Sequence, residues 1–247
     1  MAHDEDASKH WFDEVMKNAQ PVQRSTPYLE PEDSPFSRHP GMKLYEQMLA
    51  ESLLGAAERE AQSLAPAWMQ EERAIVVCLP TFRPEWALSI VGERKAGYWV
   101  LTPQAQESLW SSTRFWYSRE SDPAIPCPPS VNISRSKLAA DLGADICDIW
   151  RQVLSQTRYP QKPCDGCDGE TYHFTYSGKG MPERSGKTWS PAADSVPGKI
   201  VGLSHAVRDY ARDSANQDVF LKVLQDHIEW LQTHFGGEDG VPLGTAS

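Results

Sequence analysis

The sharpest chemical signal in the chain is a pair of cysteines three positions apart, Cys164-Asp165-Gly166-Cys167. A short glycine turn of this kind can aim two thiolates at one tetrahedral ion, which makes it a zinc half-site. A structural site needs two more ligands, and the chain holds no second Cys-x-x-Cys and no paired histidines at zinc-finger spacing. His173, in the segment that follows, is the natural third ligand, with Cys127, Cys147 and His205 as the remaining candidates. The same pair could act as a redox dithiol. With the ligand set incomplete, the preferred reading is an incidental pair in a turn and no cofactor. Zinc on Cys164, Cys167 and His173 stands as the alternative.

Three further motifs fail on spacing. Pro163-Cys164-x-x-Cys167 matches half of a zinc-deaminase signature, which also requires His-x-Glu upstream. Upstream of the cysteines the one His-x-Glu is His3-Asp4-Glu5, far outside that spacing. A calcium loop starting at Asp165 would place Cys167 and Gly169 where oxygen ligands are needed. Between Gly180 and Gly186 stand five residues instead of the four of a phosphate-binding loop, and Trp189-Ser190-Pro191 follows where a helix should begin. The segment is nonetheless basic. Lys179, Arg184 and Lys187 are its candidate contacts to a partner or a phosphate, against a plainer reading as a solvated hairpin loop. His205 and His227 fall on helical segments, and His227 lies on an apolar stripe where a core histidine is commoner than a catalyst. No nucleophile elbow accompanies either, and no carboxylate pair stands out. No catalytic residue is assigned.

The elements that must position these residues follow from periodicity. Residues 1–40 contain Pro21, Pro27, Pro31, Pro35 and Pro40 among acidic and polar residues and read as a disordered or loosely docked tail. Within it, Trp11, Phe12, Val15 and Met16 have the spacing of a short amphipathic helix. Tyr45, Met48, Leu49, Leu53, Ala57, Ala61 and Leu64 predict a long helix ended by Pro66. Strands are predicted over 74–79, 85–91, 97–101 and 114–118, then a proline-rich loop. Leu138, Leu142, Ile146, Ile149 and Val153 predict a central helix over about 135–157. Residues 171–176 alternate as a strand, with 187–189 returning across a long polar loop. Two helices, over about 198–211 and 218–235, close a single domain at 41–236, and residues 237–247 are expected to be a flexible C-terminus. Strands grouped together predict an α+β fold, an antiparallel sheet with helices packed against it.

Composition bounds the function. The 247 residues carry a net charge of −10 and five cysteines. An odd, sparse cysteine set suits a reducing compartment, so a cytoplasmic location is expected. No apolar run reaches membrane-spanning length, and the acidity disfavours nucleic acid. Nine tryptophans, several within 99–116, suit strands and also contact surfaces.

Two segments, Pro84-Glu85-Trp86-Ala87-Leu88 and Asp168-Gly169-Glu170-Thr171-Tyr172-His173-Phe174 with Gly186-Lys187-Thr188-Trp189-Ser190-Pro191, resemble a group of uncharacterised bacterial proteins. That resemblance implies no activity. The leading expectation is a non-enzymatic cytoplasmic protein that acts through a protein partner, for example a bacterial immunity or regulatory factor against a basic partner. The competing expectation is a metal- or thiol-dependent protein centred on Cys164, Cys167 and His173.

Overall fold

A computed structural model describes residues 29, 40–64, 72–80, 83–106, 108, 130–158 and 169–235, without the side chains of 40–51. Six strands, β1 (Glu72–Pro80), β2 (Trp86–Glu93), β3 (Gly97–Ala105), β4 (Val131–Leu138), β5 (Glu170–Gly178) and β6 (Arg184–Trp189), form one sheet in the order β4-β3-β2-β1-β5-β6. Every neighbouring pair is antiparallel. The helices are α1 (Pro40–Leu64), α2 (Ala140–Ser155), α3 (Val196–Arg212) and α4 (Gln217–Phe235). The fold is α+β.

The centre of the sheet explains its most hydrophobic strand. β1 is flanked by β2 and β5 and covered on both faces, so Ala74–Leu79 reads as an unbroken apolar run instead of an alternation. Its odd residues Ile75, Val77 and Leu79 pack with Leu53 of α1 and Ala87 of β2. Its even residues Ala74, Val76 and Cys78 join the main core with Leu88, Ile90, Tyr98, Phe174, Trp150 and the inward faces of α3 and α4. Trp150 fixes α2 on the sheet by donating its indole N–H to the carbonyl of Ile75 at 3.2 Å. Tyr210 of α3 donates its hydroxyl to the carbonyl of Lys137 on β4 at 3.1 Å. Leu224, Ile228 and Leu231 are the buried stripe of α4.

Three boundaries differ from the sequence expectation. Residues 135–138 belong to β4 and not to the central helix, which starts at Ala140. Leu138 extends the helical spacing backwards, but residues 131–138 pair in register with β3, and these ladder hydrogen bonds override the local period. The β5–β6 connection is also short. β6 begins at Arg184, so part of the basic stretch expected in a long loop is strand. α3 starts two residues earlier than its spacing suggests. Ser195 caps it by accepting from the amide of Gly198 at 3.1 Å, and Pro197 sits in the first turn, where no intrahelical donor is required. The strand expected at 114–118, the C-terminus at 237–247 and, apart from Leu29 and Pro40, the tail at 1–40 lie outside the described residues; Leu29 is buried in the main core and its carbonyl accepts from the Arg158 amide at 3.0 Å. No helix among the described residues is long and apolar enough to cross a membrane.

Candidate functional site

Cys164 and Cys167 lie outside the described residues. His173 is in the middle of β5, with Val77 of β1 on one side and Lys187 of β6 directly across on the other. A lysine ammonium facing it is an adverse neighbour for a metal cation, since like charges repel. Among the described residues no group of three or more His, Cys, Asp or Glu side chains is placed to hold a metal ion. The three candidate cations do not converge. Lys179 is exposed in the hairpin turn, Arg184 is paired with Tyr176, and Lys187 is paired with His173. Side chains alternate along a strand, so Arg184 and Lys187 stand on opposite faces of the sheet.

The structure instead assembles a polar cluster from β1, β2, β5 and α3. Period-two spacing puts Glu170 and Tyr172 on the helix-covered face of β5, and i, i+3 spacing puts His205 and Arg208 on one side of α3. The Tyr172 hydroxyl donates to Oε2 of Glu170, and Nε2 of His205 lies 3.0 Å from the same hydroxyl. Since the phenol proton is committed to the carboxylate, the network assigns the hydrogen of that second contact to His205 Nε2. The His205 ring packs on Trp86 at a centroid separation of 5.1 Å, and the Arg208 guanidinium lies 4.7 Å from the Trp86 ring centroid. Arg208 also pairs with Asp209 at 2.9 Å, and exposed Arg83 reaches Glu170 at 3.4 Å. The Cys78 thiol is fully buried beneath them.

The backbone at this end is held tightly. Ser190 donates its amide to the carbonyl of Glu170 at 2.9 Å, while its side-chain oxygen accepts from the amide of Glu170 at 3.0 Å. Ser190 does so with a φ of 36°, in the left-handed region that disfavours a residue with a Cβ. Such strain persists only where surrounding contacts enforce it.

Burial sets the protonation of the cluster. It pushes the Tyr172 hydroxyl and the Cys78 thiol above their ordinary ranges, the latter with help from the Glu170 charge. It also lowers His205, assisted by the neighbouring Arg208 cation. A protonated buried thiol is a poor nucleophile, and a phenol raised in this way does not release its proton near neutral pH. Glu170, Tyr172 and His205 therefore form a chain of hydrogen bonds whose groups satisfy one another and join α3 to the sheet. Sequence reasoning missed this cluster. Its only local traces are Glu-x-Tyr on a strand and His-x-x-Arg on a helix, and nothing local says that the two meet.

The other end of the β1–β5 pair carries a second carboxylate tie. Glu72 accepts from the hydroxyls of Tyr98 and Tyr176, the latter at 3.2 Å. Nearby, Asp148 bridges Arg94 at 2.7 Å and Arg151 at 2.9 Å. Burial raises the Asp145 carboxyl on the same helix, with further upward pressure from Asp148 and Asp141.

The whole sequence carries 34 Asp and Glu against 24 Lys and Arg, a net charge of −10. No family model, curated protein or solved structure matches this chain.

Proposed function

We propose that the chain acts by contact with a protein partner, and that the partner is basic. The observation that carries this reading is the excess of carboxylates, 34 Asp and Glu against 24 Lys and Arg. A net charge of −10 is suited to attracting a cationic surface. The polar cluster supports the same reading, because Tyr172, Glu170 and His205 are engaged with one another and Cys78 is buried. A bacterial immunity or regulatory factor directed at a basic protein is the concrete form this takes.

The test is recovery of tagged full-length chain from its own host, quantified by mass spectrometry, beside a variant with Asp4, Asp6 and Asp13 changed to Asn and Glu5 and Glu14 changed to Gln. A basic protein recovered in stoichiometric amount with the native chain, and reduced by roughly tenfold with the variant, supports the proposal. Recovery of no stoichiometric partner, or of one indifferent to the substitutions, refutes it.

A further inference from the structure

The outer side of α4 carries a second feature, independent of any foreign partner. Val219 is 62% exposed and Val223 39% exposed, and both belong to the same helix. Helical periodicity places Asp226 and Trp230 on their line, a ridge about 16 Å long from Val219 to Trp230. The line is offset from the buried stripe of Leu224, Ile228 and Leu231, and Trp230 at its end is half-buried, with one side packed on the same core. Trp230 is held in place, stacked on His234 at 5.0 Å and lying 5.3 Å from the Lys199 ammonium of α3. Lys222 and Glu229 occupy one flank of the ridge. Lys222, Asp226 and Glu229 are exposed, and none takes part in a salt bridge among the described residues.

This pattern is complementary to itself in one direction only. Two copies of α4 laid antiparallel, with a two-fold axis crossing between Leu224 and Gln225, set Val219 of each against Trp230 of the other. Lys222 of each copy then comes within reach of Asp226 and Glu229 of the other, twice over. A parallel arrangement would oppose Lys222 to Lys222 and Asp226 to Asp226, which like-charge repulsion disfavours. We propose that the Val219–Val223–Trp230 face of α4 is a homodimer interface in which the two α4 helices pair antiparallel. The two-fold relation makes such a contact isologous. One helix ridge offers less than the ~800 Å² per partner of a standard interface, so the dimer is concentration-dependent.

Sedimentation of the full chain from low micromolar to millimolar concentration tests this. The expected result is a rise from the 27.7 kDa chain mass toward twice that value. V219D, K222E and the double variant D226K/E229K should each stay monomeric. An equimolar mixture of K222E with D226K/E229K should recover the dimer mass, because the opposed charges are then complementary again. All these positions are exposed, so the fold is retained, and circular dichroism verifies it. A native chain that stays monomeric throughout overturns the proposal. So does a dimer that survives V219D and K222E, or a charge-swapped mixture that fails to associate.

Discussion

Tyr172 of β5 and His205 of α3 meet at 3.0 Å between the phenol oxygen and Nε2, and the same phenol is bonded to Glu170. This contact joins the sheet to the helix layer where Trp86 is also packed against His205. Tyr172→Phe keeps the ring and its packing but leaves the Glu170 carboxylate and His205 Nε2 each short of a partner. An unsatisfied, partly buried polar group costs about 1–3 kcal/mol. Urea unfolding should show a loss in that range, whereas unchanged stability would mean that the hydroxyl contributes nothing.

The histidines of α3 and α4 make stability depend on pH. Burial, with Arg208 next in effect, lowers His205, and burial, with Lys199 next, lowers His227. Both take up protons less readily when folded than at their ordinary value of 6.5. The unfolded chain therefore binds more protons, and stability rises with pH across this region. The contribution is complete above 6.5 and is lost as pH falls through 6.5 toward the folded values. Thermal unfolding between pH 5 and pH 8 should reveal this slope, and the double variant H205Q/H227Q should flatten it. An equally steep slope in that variant would assign the effect to other groups.

Gly143 tests the packing of α2 against Tyr98. A Cβ built there would lie 2.1 Å from Cδ2 and 2.4 Å from Cγ of the Tyr98 ring. That ring is fully buried and its hydroxyl is tied to Glu72, so it has little room to move. Replacing a helical glycine by alanine ordinarily gains about 1 kcal/mol of helix propensity. Overpacking a buried site costs about 1–3 kcal/mol, and the severity of this clash places it at the upper end. G143A should therefore be destabilised on balance, by denaturant or heat. A stabilised variant would show that the ring can yield.

Thiol accessibility tests the burial of Cys78 and Cys147. Cys78 and Cys147 are both fully buried, and burial raises both thiols. Under native conditions at mildly alkaline pH neither should react with iodoacetamide, and both should react in denaturant. Peptide mapping would expose an error if either were alkylated at its unfolded rate.

The parts of the fold legible in the sequence are those where one face or both faces are buried. β1 reads as a strand because it is enclosed on both sides, and α4 reads as a helix because Leu224, Ile228 and Leu231 repeat at helical spacing. The helical spacing in the sequence runs back into β4. This is an edge strand with mixed polar and apolar residues, and only its pairing with β3 reveals it. The polar cluster was illegible for a similar reason. Glu170 with Tyr172, and His205 with Arg208, are unremarkable pairs until the fold brings β5 and α3 together. The acidity is legible from composition alone. The basic segment after β5 was visible too, though strand alternation divides Arg184 from Lys187.

Native mass spectrometry of the full-length chain, purified from its own host at low salt without chelator, distinguishes the two functional readings most directly. Contact with a basic partner predicts an assembly containing one further, basic protein, which dissociates as salt is raised. The chain carrying stoichiometric zinc and no partner, with the metal lost on replacing Cys164 and Cys167 by serine, would contradict it.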